Sequence, residues 1–316
     1  MIRLLIICCV LVSVSTLALA RIVFDAKRED NFEIYAMNDD GSNLQQLTNN
    51  PRYDLCARWS PDGKQIVFVR IFGEGRQEHG NLILIDADGG HERRLTNHPE
   101  YDGLNVTWSP DGKRIVFVRG NQGRQLHVLE IATGEVKKLT NNEGLTVDPR
   151  WSPDGKTIVY RYEGEEGKSI YTMSANGRNQ KPLIPPKEGP ILRFSPAWSP
   201  EGKRIVFCEM EWLNENPDVR LVIYNIASKQ QQIRRLPRGL QDASWMGKDS
   251  IIVSAIDAKS DKYDIYRYDI DTDTFINLTN TPNLNEYNPH WISDNALDIS
   301  LSEKKRMSWG EIKTHP

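Results

Sequence analysis

The chain has 316 residues, 39% apolar and 26% charged, a composition that fits a soluble globular protein and excludes the disordered and fibrous classes. Its 40 Lys and Arg stand against 43 Asp and Glu for a net charge of −3, and no basic block stands out. The electrostatic footprint of a nucleic-acid binder is missing, so DNA and RNA are excluded as partners.

Residues 1–20 differ in kind from the rest. Arg3 leads into LLIICCVLVSVSTLALA, which ends in small residues at Ala18 and Ala20 around Leu19. That is the pattern of a secretory signal peptide with cleavage between Ala20 and Arg21. The rival is an uncleaved anchor helix, for which the apolar run sits at the short limit of a span. Cys8 and Cys9 would leave with the signal, and Cys56 and Cys208 then remain as buried free thiols in strand-like settings.

From Arg21 the sequence reads as strands throughout. RIVFDA, FEIYAM and LQQLT come first, followed by a tryptophan that recurs at Trp59, Trp108, Trp151, Trp198, Trp245 and Trp291. A period in the forties without helical apolar spacing predicts a propeller of four-stranded blades. The first strand of each blade ends at the tryptophan, as in LCARW and SPAW. A second follows as QIVFVR, RIVFVR, TIVYRY, RIVFCE or SIIVSA, a third as in NLILID and LVIYNI, and a short fourth as in ERRLT and FINLT.

Between first and second strands lies Ser60-Pro61-Asp62-Gly63, repeated at Ser109 and Ser152 and, with glutamate, at Ser199. Proline presets φ, aspartate suits the next position and glycine accepts positive φ, so the motif reads as a hairpin turn. Pro149, Pro196 and Pro289 stand two residues before a tryptophan, which places the first strand at a free edge facing the axial channel. Residues 21–50 supply second, third and fourth strands without a first, and the strand ending at Trp291 supplies a first without successors. The expected fold is therefore all-β: a six-bladed propeller of four-stranded antiparallel blades, closed by a composite blade from both termini. The division is 1–20 signal peptide, 21–300 propeller and 301–316 a tail of unclear role.

Repeats of the form LTNNP, WSPDGKxIVFxR and IYxMNxDG resemble those of the TolB-like propellers, themselves related to the propeller domains of prolyl oligopeptidase-type peptidases. The resemblance covers roughly residues 21–295 and is most specific in the first four repeats. It implies a six-bladed propeller in the periplasm or outside the cell that docks an envelope protein, as TolB docks a peptidoglycan-associated lipoprotein. The chain departs from the family in running from the signal straight into a blade, without TolB's preceding α/β domain and without the hydrolase domain of the peptidases.

Local signatures of chemistry are few. No G-x-S-x-G, Walker loop, C-x-x-C or H-E-x-x-H occurs, and the histidines at 79, 91, 98, 127, 290 and 315 are scattered. Asp86 and Asp88 lie in a turn too short for a calcium loop. No cofactor is expected, with a channel-bound cation such as calcium left open. Long second-to-third loops and fourth-to-first links share one face, where recognition is expected. Tyr53, Tyr101, Tyr287 and Trp212 carry the aromatic part of that face. Three residues before the tryptophans stand Cys56, Asn105, Asp148, Ser195, Asp242 and Asn288, a polar layer in the channel. Asp148 and Asp242, with Asp54, Asp102 and Glu286 nearer the rim, would make an acidic mouth, opposed locally by Arg193. The reading is an exported, non-enzymatic, monomeric scaffold that binds an envelope or extracellular protein. A carbohydrate-active or lyase-type enzyme at the channel mouth and a purely structural module stay open beside it.

Overall fold

The structure, a computed structural model, describes residues 21–293 apart from 76, 77, 101, 104, 122, 166, 187, 188, 214, 215, 236–238 and 282. Six four-stranded antiparallel sheets form the blades of a propeller, and no α-helix occurs among the described residues. The innermost strands are Asp54–Trp59, Thr107–Trp108, Leu145–Trp151, Ile191–Trp198, Asp242–Trp245 and Asn285–Trp291, numbered here as blades 1 to 6. Each ends at its tryptophan, as the sequence predicts. Blade 6 is the composite one, in which Asn285–Trp291 pairs with Ile22–Arg28, and Asn31–Met37 and Gln45–Gln46 complete the sheet. The expected signal peptide, residues 1–20, and the 301–316 tail lie outside the described residues.

The second strands are apolar on both faces because each is sandwiched between two blades. Ile66, Val67, Phe68 and Val69 are all buried, for example. The core is accordingly divided into six clusters, one in each gap between neighbouring blades. Cys56 and Cys208 are buried free thiols, as expected.

Each repeated motif has a mechanical role. In the first turn Gly63 N–H donates to Ser60 O at 2.9 Å, Ser60 Oγ donates to Asp62 Oδ1 at 2.7 Å, and Gln65 N–H returns to Ser60 Oγ at 3.0 Å. Successive turns also touch around the ring: Gly112 has φ +69°, and a Cβ there would lie 3.9 Å from Pro61 of the preceding blade. The tryptophans join one blade to the one before. Nε1 of Trp108, Trp198 and Trp245 donates to the carbonyls of Arg58, Arg150 and Ala197 at 3.1–3.2 Å. The threonine of the LTN motif closes the outer part of the blade. Thr48, Thr96 and Thr140 accept from third-strand N–H groups of Ile34, Leu82 and Leu126 at 2.9–3.0 Å.

One segment differs from the sequence reading. CEMEWLNENPDVR falls among the long second-to-third connections expected to be loops, yet it is largely a hairpin in which Arg204–Leu213 pairs with Asn216–Asn225. Charges interrupt the apolar run and disguise the strand, yet they are matched, with Arg220 paired across the hairpin to Glu209 and Glu211 and along its own strand to Asp218.

Candidate functional site

The innermost strands leave the regular ladder at one place. Register shifts occur between Leu55 and Arg58, between Val147 and Arg150 and between Phe194 and Ala197, with another opposite Val23–Asp25. The residue that turns the corner has a left-handed backbone: φ is +58° at Cys56, +65° at Asn105, +55° at Asp148, +50° at Ser195 and +54° at Asn288. These are five of the six residues three places before a tryptophan, and Asn and Asp are the non-glycine types that accept this conformation most readily. Pro149, Pro196 and Pro289 follow directly, so proline is accommodated by a β-bulge as well as by the free edge. Asp242 alone keeps a continuous register, pairing with Ser254.

Residues at this level are tied from blade to blade around the channel. Cys56 N–H donates to Asp25 Oδ1 at 2.8 Å and Asn288 Nδ2 to Asp25 Oδ2 at 3.2 Å. Asn105 Nδ2 and Ser195 N–H both reach Asp148, while Ser195 Oγ donates to Asp242 Oδ1 at 2.8 Å. Burial pushes the Asp25 carboxyl up to about 7, with the nearby Asp242 adding to the rise. Asp242 is raised as well, mainly by desolvation. Asp148 also meets Arg161 at 3.2 Å. The layer is a polar belt that holds the blades together.

Nearer the long-loop end, carboxylates meet arginines. Arg70 grips Asp54 through two hydrogen bonds of 2.7 and 2.9 Å, and Arg119 grips Asp102 in the same way. Blade 4 reverses the polarity, with Arg193 on the inner strand donating to Glu209 at 2.8 Å. In blade 6 the position facing the inner-strand carboxylate is Ala26, so Glu286 has no such cation across its ladder. Glu286 is 0% exposed, accepts from Thr281, and keeps Oε2 unpaired among the described residues. Desolvation pushes its carboxyl up to about 7.

Outside the channel, the long-loop face carries a chain of rings. Tyr53 meets Phe32 edge-on at 5.6 Å, Phe32 meets Tyr287 at 6.0 Å, and Tyr287 meets Tyr263 at 5.0 Å, which links blades 1, 6 and 5. Beside it Phe72 stacks on His79 at 5.9 Å, with the Arg52 and Arg94 guanidiniums 5.1 and 4.3 Å from its centroid.

The sequence matches the TolB β-propeller domain family over residues 19–191. The chain belongs to the TolB β-propeller family. TolB from Acinetobacter baumannii is similar in structure, with a TM-score of 0.73 at 19% identity over 86% of this chain and 66% of that one. This TolB-family chain thus spans about 66% of the length of that relative. A nidogen/laminin complex has a TM-score of 0.68 at 8% identity, covering 86% of this chain and 97% of the matched one. An oligogalacturonate lyase in complex with manganese has a TM-score of 0.58 at 15% identity, covering 81% and 73%. These likenesses establish the shared fold. No curated protein matches by sequence.

Set against this TolB-family propeller, the residues singled out from sequence divide into two groups. Asp148 and Asp242 share the channel belt, whereas Asp54, Asp102 and Glu286 are buried within their blades, the first two locked to arginines, and present no open row of negative charge. Tyr53, 41% exposed, and Tyr287 belong to the ring chain. Trp212, 43% exposed, stands apart on the hairpin of blade 4, and Tyr101 lies outside the described residues. Sequence reading missed Asp25, Phe32, Tyr263 and the Phe72 stack. Asp25 had a signal, since it stands where QIVFVR has its second valine. Among the described residues no three His, Cys, Asp or Glu side chains group to hold a metal, and no helix is long and apolar enough to cross a membrane.

Proposed function

We propose that this TolB-family propeller is an exported, non-enzymatic scaffold of the cell envelope that binds a protein, a lipoprotein among the candidates, through its long-loop face. The observation that carries this reading is the ring chain Tyr53–Phe32–Tyr287–Tyr263 flanked by Arg52, because aromatic and arginine side chains grouped on a rigid surface dominate binding energy at interfaces. The shared fold with TolB and with a propeller from a nidogen/laminin complex supports it. Alanine at Tyr53 removes an exposed ring without opening a core. The Tyr53→Ala, Arg52→Glu double variant is expected to lose a partner captured from envelope extracts by the wild type, with affinity falling at least about tenfold and melting nearly unchanged. Equal capture by the variant and the wild type would overturn this surface as the docking site. A lyase-type enzyme is the second reading, favoured by the fold shared with oligogalacturonate lyase. Turnover of an oligosaccharide by the purified chain would select it.

A further inference from the structure

The opposite end of the channel, on the tight-turn face, is chemically different. The residue just before each tryptophan points inward there, giving one layer of Arg58, Thr107, Arg150, Ala197, Ser244 and His290 around a cavity of about 310 Å³. Walls of indole and of the turn prolines Pro61, Pro153 and Pro200 surround it.

Arg58 and Arg150 are the exceptions among the arginines of the channel. Arg70, Arg119, Arg161 and Arg193 each lie against a carboxylate. Arg58, 3% exposed, donates from Nη1 to the carbonyls of Ala57 and Asn288 at 2.8 and 2.9 Å, and its buried Nε has no partner among the described residues. Arg150 Nη1 donates to Pro149 O at 2.9 Å. Among the described residues neither guanidinium has a carboxylate within 4.0 Å. Carbonyls satisfy N–H groups but do not neutralise a charge, so two like charges share a desolvated layer. Burial and then the neighbouring Arg58 pull Arg150 down to about 9, and both outweigh the opposing pull of Asp148 and Asp242.

Apart from Ala197, the remaining groups of the layer are donors too. His290 Nδ1 accepts the Trp59 N–H at 3.2 Å, which places the ring proton on Nε2. Burial and the two arginines hold the ring neutral, far below its ordinary value. Thr107 and Ser244 add hydroxyls. The carboxylates of the belt lie one layer deeper and are engaged there, Asp148 with Arg161, Asp25 with Cys56 and Asn288, and Asp242 with Ser195. From that layer Asp25 and Asp242 attract Arg58 while Asp148 and Asp242 attract Arg150, without an ion pair to either.

We infer that the tight-turn mouth of the channel is a binding site for a small organic carboxylate, its oxygens held between Arg58 and Arg150 with His290, Thr107 and Ser244 as further donors. The planar guanidinium fork matches a carboxylate, and an anion there relieves the repulsion between the two cations. The cavity has room for about ten non-hydrogen atoms, and its indole and proline walls suit a flat, carbon-rich body. This site is separate from the long-loop face and stands whether or not that face binds a protein.

Benzoate tests the site, titrated into the full chain at low ionic strength near neutral pH and followed by calorimetry and tryptophan fluorescence, with acetate and inorganic phosphate as comparison ligands. One saturable benzoate site is expected, with weaker acetate and phosphate binding. Arg150→Gln should weaken benzoate at least about tenfold, and Arg150→Lys, which keeps the charge and loses the fork, should fall between. Arg150 is the better variant because Arg58 bridges two blades through its carbonyl contacts. Absence of saturable benzoate binding, or wild-type affinity in a folded Arg150→Gln protein, would overturn the site. Phosphate binding as tight as benzoate would overturn its assignment to a carboxylate.

Discussion

Replacing Asp25 with asparagine is expected to stabilise the protein at neutral pH and above, the gain building as pH rises from the carboxyl's unfolded value toward its folded one and levelling off beyond it. Asp25 is 1% exposed and its carboxyl is pushed from 3.8 to about 7. An acid whose folded value lies above its unfolded value contributes its full stability below the unfolded value and loses it as pH climbs through the folded one. A rise of this size corresponds to roughly 4 kcal/mol lost between those two values. Asparagine keeps an oxygen for the Cys56 N–H and offers an amide to Asn288, whose own amide can turn to accept it.

The wild-type pH profile alone would not reveal this. Glu286, also raised to about 7, acts in the same sense as Asp25. His290 and His127 are lowered, so the folded state resists their protonation and stability falls as pH drops through the ordinary histidine range. The two effects oppose each other over the same window. The difference in melting temperature between Asp25→Asn and wild type removes the terms they share, and it should widen from about pH 5 to pH 8 by on the order of 5 °C. A difference that stays flat across that range would show that Asp25 is ionised in the belt without penalty.

The belt also shows where sequence reading reached its limit. Tryptophan spacing, the SPDG turns and the orphan strands at Arg21 were legible because each marks a job repeated in every blade or a pairing that only the other terminus could satisfy. The polar set at Cys56, Asn105 and Asp148 was equally visible, but its cause was not: the residues answer to a left-handed backbone at a bulge before they answer to solvent. That bulge also hid the ion pairs at the rim. Counting back from the Trp59–Ile66 pair without it sets Arg70 opposite Leu55, whereas the observed shift sets Arg70 opposite Asp54. In blade 1 a single slipped residue therefore turns an apparent position of an acidic mouth into a buried pair. The unpaired Glu286 was within reach, since RIVFDA ends in Ala26 where QIVFVR ends in Arg70. Arg58, Arg150 and His290 were harder to find because a position before each tryptophan has no meaning until the strands are wrapped around an axis.

Deleting residues 21–50 is expected to abolish the folded propeller. The segment contributes the three outer strands of blade 6, and its removal leaves Asn285–Trp291 with no ladder partner where Ile22, Val23, Asp25, Ala26 and Lys27 now face it. The loss falls on both sides of the blade. Ile22, Phe24, Ala26, Tyr35 and Met37 pack against Ile252, Ile265 and Leu278 of blade 5, while Val23 and Ile34 pack against Trp59, Ile66 and Phe68 of blade 1. Each large side chain withdrawn from such a cluster costs about 1.5–3 kcal/mol, so the sum is of the same size as the roughly 5–15 kcal/mol that stabilises a whole domain. The bare second strand of blade 1 and inner strand of blade 6 would then present apolar faces and open edges to other molecules. Expression of the truncated chain should give insoluble protein, and any soluble fraction should bind hydrophobic dye and lack a cooperative melt. A soluble truncation that melts in one sharp transition would show that the ring holds without its composite blade.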